Sequence, residues 1–178
     1  MFLFLSKNFY ACPIYYISSI SKGEIAMPYA SDFGLPSSHG VYVYDKVSGM
    51  WSPVFGLRRT REGFSIVYFK NIRCSACREF DKYWTRFVEI TSARYADTDF
   101  YLVVCGWFAG NCNSKYAKAL FQIHDIYASP SLLFLYYDGK SEKIIEKISG
   151  VLNFKQLEMI YEIIRTLTFG LNNNISAP

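Results

Sequence analysis

The sequence predicts an α/β fold in which a mixed central sheet is covered by helices on both faces, forming a three-layer sandwich. Apolar runs typical of buried strands alternate with segments whose apolar residues recur every three or four positions, as in amphipathic helices. One pair of strand-like segments is separated by Asp138-Gly139, a strong hairpin signal. Because the alternating segments need a parallel crossover and the hairpin is antiparallel, the predicted sheet is mixed.

The predicted elements follow one another in a regular order from residue 65 onward. Before them, residues 41–44 and 50–55 are interpreted as two strands joined by a turn, the second broken by Pro53. The later elements are strand 65–70, helix 74–95, strand 100–105, helix 114–124, strand 132–137, strand 143–148 and helix 154–166.

Amphipathic stripes justify the three helices and predict which side of each is buried. Ser114 is the predicted N-cap of the second helix. The apolar stripes are Cys77, Phe80, Trp84, Phe87, Val88 and Thr91 in the first helix, Tyr116, Ala119, Leu120 and Ile123 in the second, and Leu157, Ile160, Tyr161, Ile164 and Leu167 in the third.

Length and composition bound the class of protein. The chain has 178 residues, of which 51% are hydrophobic and 19% aromatic, so we expect one domain with a substantial core rather than intrinsic disorder. The net charge is only +4, and the longest basic run is Arg58-Arg59-Thr60-Arg61, interpreted as solvated surface. No nucleic-acid partner is therefore expected.

The chain divides into an N-terminal extension over residues 1–40, a domain over 41–168 with its core at 64–168, and a C-terminal tail over 169–178. The extension is apolar enough to be signal-like, or it is a loosely ordered arm. It contains no run of about 20 apolar residues, so no transmembrane helix is expected. A cytoplasmic location is expected, the alternative being a secreted or membrane-attached protein held through the N-terminal apolar segment.

Cys74-Ser75-Ala76-Cys77 lies where an apolar strand gives way to an amphipathic helix. A sulfur on the first turn of a helix faces unpaired backbone N–H groups, which favour its ionised form. Arg73 and Arg78 flank the motif and add two positive charges beside Cys74. A thiolate beside a second thiol is the working part of a dithiol–disulfide exchange site, so the motif predicts a reaction.

The remaining cysteines leave alternatives open. There are five cysteines, and an odd number argues against a closed disulfide framework. Cys105 ends a strand and is either a core residue or the partner of Cys112 in a second disulfide. Zinc binding by Cys74 and Cys77 would need four ligands, and Cys105, Cys112 and His124 could supply the rest. The helix-start position of the CxxC motif argues against zinc.

A CxxC motif at a strand–helix junction, then Ser129-Pro130 before a strand, Asp138-Gly139, and Gly150 before the last helix together resemble the thioredoxin-fold family over about residues 64–168. The resemblance implies that Pro130 follows a cis peptide bond and packs against the cysteines. It also implies that the backbone beside Pro130, at Ser129, pairs with the substrate chain.

The activity implied by the resemblance is thiol–disulfide exchange on protein disulfides. Cys74 attacks the substrate disulfide, and Cys77 resolves the mixed disulfide that forms. No dissociable cofactor is required, because electrons come from a reductase partner or another dithiol. The alternative is a non-enzymatic binding protein on the same scaffold, whose CxxC motif has a structural or zinc-binding role.

Several positions depart from thioredoxins proper. Ser75-Ala76 replaces Gly-Pro between the cysteines, and Arg73 replaces the preceding Trp. Tyr68 stands where thioredoxins carry a buried Asp that helps to move protons, and Lys82 replaces the Pro that kinks the helix. Redox poise and partner choice therefore do not carry over. Trp107, in the loop after Cys105, is the best candidate for an aromatic side chain that contacts substrate.

Overall fold

The computed structural model describes residues 33–175, and side chains for residues 33–170. Three helices and six strands make up this part of the chain. The helices are α1 (Ser75–Arg94), α2 (Lys115–Ile123) and α3 (Phe154–Ile175). The strands are β1 (Gly40–Asp45), β2 (Met50–Val54), β3 (Gly63–Asn71), β4 (Thr98–Cys105), β5 (Ser131–Tyr137) and β6 (Glu142–Ser149).

The six strands form one mixed sheet in the order β2-β1-β4-β3-β5-β6. The central pair β3 and β4 is parallel, with Val67 opposite Tyr101. On its other side β3 pairs antiparallel with β5, where Val67 is opposite Leu133. The β5–β6 and β1–β2 hairpins complete the two ends of the sheet. Pro53 lies in β2, an edge strand, where its missing N–H leaves no gap in the ladder.

Both faces of the sheet are buried, because β3 sends alternate side chains to opposite sides. Phe64, Ile66 and Tyr68 join the cluster under α1 and α3, whereas Val67 and Phe69 join the cluster under α2. The helices therefore cover both faces of the sheet. This confirms the predicted α/β three-layer arrangement with a mixed central sheet.

The buried side of α2 differs from the predicted stripe. Ala117 and Phe121 face the core, whereas Ile123 is 71% exposed. This helix is apolar around most of its circumference, so periodicity alone does not select one face. Docking on the sheet selects it, since the small Ala117 permits a close approach and the Phe121 ring lies 5.1 Å from that of Phe69.

The last helix runs to Ile175, beyond the end predicted at residue 166. Gly170 and the asparagines after it are poor helix formers, which is why local propensity favours an earlier end. The Phe169 ring packs edge-on against Phe64, at 5.7 Å between centroids, and against Tyr136 at 6.1 Å. These tertiary contacts hold the helix past the point where propensity weakens.

The basic run before β3 is also not uniformly solvated. The Arg59 side chain is 1% exposed and pairs with Asp99 at 2.7 Å. It also donates to the carbonyl oxygens of Phe64 and Asp97, where β3 and β4 begin. Arg61, by contrast, is 66% exposed. The interpretation as solvated surface is wrong for Arg59, because strand-end carbonyls and a carboxylate supply it with buried acceptors.

Most of the predicted extension, residues 1–32, lies outside the described residues. The predicted signal-like or membrane-attaching segment falls within that part of the chain. From Phe33 onward the chain packs on the domain. The Thr85 hydroxyl donates to the Phe33 carbonyl at 3.4 Å, and Leu35 is buried in the cluster under α1. Among residues 33–175, no helix combines the length and apolar character needed to cross a membrane.

Candidate active site

The CxxC motif forms the N-terminal cap of α1. Strand β3 ends at Asn71, and the Cys74 N–H donates to the Asn71 carbonyl at 3.1 Å, which closes the turn between strand and helix. Cys74 has extended backbone angles, and its sulfur accepts the backbone N–H of Cys77 at 3.2 Å. The sulfur thus takes the place of a capping oxygen, and the first turn of α1 contains no acidic residue.

The two thiols are free and differ in access to solvent. Cys74 retains 8% exposure, whereas Cys77 is fully buried. Burial raises the pKa of the Cys77 thiol from 9.0 to about 12, and the neighbouring Cys74 acts in the same direction. The Ser129 hydroxyl opposes this increase. Cys77 is therefore a protonated thiol at neutral pH unless another group removes its proton.

The loop before β5 brings Ser129 against both sulfurs. The Ser129–Pro130 peptide bond is cis. The Cys74 thiol donates to the Ser129 carbonyl oxygen at 3.3 Å, and the Ser129 hydroxyl lies 2.8 Å from the Cys77 sulfur. Four of the residues selected from the sequence, Cys74, Cys77, Ser129 and Pro130, are thus gathered at one point.

Arg73 and Arg78 flank this point but are exposed. Within residues 33–170 neither guanidinium forms an ion pair or a hydrogen bond with a protein group. The charge of Arg78 lowers the pKa of Asp81, as a smaller contribution after those of burial, Lys70 and Tyr68. The two arginines therefore supply positive charge at the rim of the site rather than fixed contacts within it.

A buried ion pair beneath Cys77 is missing from the sequence-based site. Lys70 from β3 and Asp81 from α1 meet at 2.6 Å, with side chains 6% and 3% exposed. The Tyr68 hydroxyl lies 3.0 Å from Asp81 Oδ1 and 3.3 Å from the Cys77 carbonyl. Burial is the main cause that raises the pKa of Tyr68, followed by the charges of Cys77 and Asp81. Tyr68 thus connects Cys77 with a buried carboxyl group.

The electrostatics of this group follow from its burial. Desolvation raises the pKa of Asp81, and Lys70 opposes the increase by charge and by hydrogen bond. Desolvation also raises the pKa of Tyr68 well above its ordinary value, so the phenol keeps its proton. The site therefore holds a carboxyl group that accepts a proton more readily than an exposed one does.

A sequence signal for the ion pair existed. Asp81 lies four residues after Cys77 and three before Trp84, which places it on the buried stripe of α1. Lys70 lies two residues after Tyr68, on the same face of a fully buried strand. Two opposite charges at core positions of adjacent elements indicate a buried pair.

The loop after β4 is attached to the CxxC turn. The structure joins Cys105 and Cys112 in a disulfide, with their Cα atoms 4.8 Å apart. The Ile72 N–H donates to the Cys105 carbonyl at 2.9 Å, and the Arg73 N–H to the Gly106 carbonyl at 3.4 Å. The disulfide-closed loop therefore forms one wall beside the turn that carries Cys74.

That pairing bears on the zinc alternative. Cys105 and Cys112 bind each other, so their sulfurs are not available as thiolate ligands. In the part of the chain that the structure describes, no three side chains of His, Cys, Asp or Glu are grouped as a metal would need.

Comparisons with known proteins find structural similarity only at low sequence identity. A scan of protein-family models finds no match, and a search of curated proteins finds no similar sequence. Among solved structures, thioredoxin from Aeropyrum pernix is 15% identical, covers 71% of this chain and 95% of its own, and has a TM-score of 0.49. Thioredoxin O2 from Arabidopsis thaliana is 21% identical, covering 56% and 72%, with a TM-score of 0.40.

Mitochondrial thioredoxin 3 from Saccharomyces cerevisiae is 20% identical, covering 56% of this chain and 77% of its own, with a TM-score of 0.38. In the present chain, Cys74 caps helix α1 after the central strand β3, and Ser129-Pro130 lies directly before β5. The strand–helix–strand–helix–hairpin–helix order from β3 onward completes the pattern. The described residues therefore have a thioredoxin-like α/β fold.

Proposed function

We propose that this protein is a thiol–disulfide oxidoreductase that acts on protein disulfides through Cys74 and Cys77. The observation that carries the proposal is the contact of Ser129 with both sulfurs. Its carbonyl is 3.3 Å from the Cys74 sulfur and its hydroxyl 2.8 Å from the Cys77 sulfur. A cystine-containing chain that reaches Cys74 must also lie against Ser129 and Pro130.

In the reductive direction, the Cys74 thiolate attacks one sulfur of the substrate disulfide. A Cys74–substrate disulfide forms, and the second substrate sulfur leaves as a thiolate. Cys77 then loses its proton and attacks the Cys74 sulfur, which releases the first substrate sulfur. The substrate gains two electrons and the CxxC pair loses two. A reductase or another dithiol would return them.

The second step needs an acceptor for the Cys77 proton, because the pKa of that thiol is about 12. Asp81 is the buried base that we assign to this task, with Tyr68 as the connection. In this scheme the Cys77 sulfur gives its proton to the Tyr68 hydroxyl, which lies 3.3 Å from the Cys77 carbonyl, as that hydroxyl passes its own proton to Asp81 Oδ1, 3.0 Å away. Asp81 is neutral afterwards, and Tyr68 is unchanged.

Lys70 and Ser129 would act as positioning residues in this scheme. Lys70 holds Asp81 at 2.6 Å and opposes the effect of burial on the pKa of that carboxyl, which favours its ionised form. The Ser129 hydroxyl stabilises the Cys77 thiolate, which is the direction of its effect on the pKa of that thiol. Pro130 presents the adjacent backbone to the substrate chain, as the resemblance implies.

Insulin disulfide reduction tests the activity directly. Wild type should reduce insulin in the presence of a dithiol donor, and Cys74→Ser should not. Cys77→Ser should retain the first step and accumulate a mixed disulfide, visible as an added mass. Ser75→Ala, an exposed change between the two cysteines, is the matched control and should stay active. An inactive wild type that retains stoichiometric zinc would support the non-enzymatic alternative instead.

Tyr68→Phe tests the proton path while it leaves the Lys70–Asp81 pair in place. The rate at which Cys77 resolves a preformed mixed disulfide should fall at least tenfold at pH 7. This rate should recover as the pH approaches the pKa of the Cys77 thiol. The rate of the first attack by Cys74 should not change. Equal resolution rates in the two proteins at pH 7 would remove Tyr68 from the path.

A further inference from the structure

We infer that Arg73, Arg78 and Trp107 form a recognition rim around Cys74 that selects polypeptide disulfides flanked by acidic side chains. The inference rests on the proposed function and names its substrate class. The rim is defined by these three exposed side chains only. It differs from Ser129, whose carbonyl and hydroxyl contact the two sulfurs.

The charge of the rim is positive, and neither arginine forms an ion pair in the described residues. The first turn of α1 has no acidic residue. Glu79, the nearest carboxylate along the helix, pairs with Lys82 at 4.0 Å rather than with either arginine. Asp81 is buried and occupied by Lys70. The Arg73 and Arg78 charges are therefore free to act on a partner that approaches Cys74.

Trp107 provides the apolar part of the rim. Its side chain is 49% exposed, and it follows Gly106, whose carbonyl accepts the Arg73 N–H. The loop that carries it is closed by a disulfide, and Trp107 also forms a backbone bridge with Asn111. The ring stacks edge-on against Phe108 at 5.1 Å. A large aromatic on a constrained loop loses little entropy when a partner covers it.

The combination indicates an acidic polypeptide as the partner. Trp and Arg are the side chains that most often dominate protein–protein contacts. Two cations beside the attacking sulfur raise the local concentration of a negatively charged chain and repel a basic one. The occupant must also carry a disulfide, since it has to reach Cys74. A cystine polypeptide with Asp or Glu beside the cystine meets all of these conditions.

Two peptides with the same intramolecular disulfide, one flanked by Glu and one by Lys, give the test. Wild type should reduce the Glu peptide about tenfold faster at low ionic strength, and the ratio should shrink in high salt because the charges are screened. The ratio cancels any change in the reactivity of Cys74, since both peptides meet the same sulfur.

Charge-reversal variants assign the preference to the rim. Arg73→Glu and Arg78→Glu should each lower the Glu-to-Lys ratio several-fold. Lys140→Glu makes the same change in net charge in the β5–β6 turn, the length of β5 away from Pro130, and should leave the ratio unchanged. Trp107→Ala should slow both peptides alike and so leave the Glu-to-Lys ratio at the wild-type value. Reduction of a small neutral disulfide, hydroxyethyl disulfide, by wild type reports the exchange activity itself.

The outcomes separate this inference from the proposed function. If wild type reduces both peptides at equal rates, the rim does not select acidic partners, although the exchange activity stands. If Lys140→Glu shifts the ratio as much as Arg73→Glu, net charge rather than the rim is responsible, and the inference is also overturned. If wild type reduces neither peptide nor the small disulfide, the proposed function itself is wrong.

Discussion

Removing one partner of the buried Lys70–Asp81 pair should destabilise the protein strongly. The two charges are 2.6 Å apart, with side chains only 6% and 3% exposed, so neither can be hydrated in place once the other is gone. Loss of one partner of a buried pair costs about 3–5 kcal/mol, because the remaining charge is left uncompensated. Lys70→Met keeps the aliphatic stem, so its effect reports the charge rather than a cavity.

A double-mutant cycle measures the coupling. Lys70→Met and Asp81→Asn should each lower the free energy of unfolding by about 3 kcal/mol or more, whereas the double variant should lose much less than their sum. Asn keeps an acceptor for the Tyr68 hydroxyl. Urea denaturation followed by circular dichroism, in one fixed thiol redox buffer, gives the four values.

The pH dependence gives an independent sign. In Lys70→Met the pKa of Asp81 should rise further above the ordinary carboxyl value of 3.8, because the opposing charge is gone. The folded state then binds more protons than the unfolded state between these two pKa values, so stability falls as the pH rises through that window. Lowering the pH from 7 towards 4 should therefore restore part of the stability of this variant relative to wild type.

The exposed pair Glu79–Lys82, at 4.0 Å, is the control for the cycle. Its coupling should not exceed about 0.5 kcal/mol, because water and salt screen both charges. A buried cycle that is additive to within about 0.5 kcal/mol, the usual error of additivity for independent sites, would contradict the predicted coupling. Such a result would mean that Lys70 and Asp81 do not stabilise each other in the folded protein.

Three further predictions concern residues outside the CxxC motif. Arg59→Met should lower the free energy of unfolding in urea by about 3–5 kcal/mol, because it leaves buried acceptors unpaired. Arg61→Met, at a 66% exposed side chain, should lower it by less than about 1 kcal/mol, and equal losses would contradict the burial of Arg59. Burial lowers the pKa of His124 from 6.5, so the folded state resists protonation and the free energy of unfolding should decline as the pH falls below 6.5. His124→Gln should make this decline less steep, and an unchanged pH profile would show that His124 is not its source. Replacing Cys105 and Cys112 by Ser should lower the free energy of unfolding by about 2.5 kcal/mol, the loop-closure value for a separation of 7 residues. Unfolding is measured under non-reducing conditions, and no loss of stability would show that the disulfide does not restrain the unfolded chain.

The parts of the fold that the sequence predicts are those encoded locally. Strand β5 and the hairpin that follows it are predicted by an apolar run and by Asp138-Gly139. The start of α1 is predicted by a strand-like run, a short turn and an amphipathic stripe in the sequence. These signals need no knowledge of the rest of the chain, since a few neighbouring residues determine the backbone conformation.

The sequence predicts only part of the candidate site. Cys74, Cys77 and Pro130 come from motifs and from the resemblance, and the structure brings them together through contacts across more than 50 residues of chain. Asp81 is not among the predicted site residues, because a single carboxyl on an apolar stripe does not show which residue it meets. Its partner Lys70 is 11 residues away on another element, and only packing of α1 against β3 joins them.

By itself, the sequence determined the order of strands and helices and the presence of a dithiol at the start of a helix. Local periodicity and turn chemistry are sufficient for both. Only the tertiary structure showed which partner each buried polar group meets: Asp81 with Lys70, Arg59 with Asp99, and Ser129 with both sulfurs. The physical reason is that burial of a charge or a thiol is tolerated only where a distant segment supplies its partner, and no local pattern records that partner.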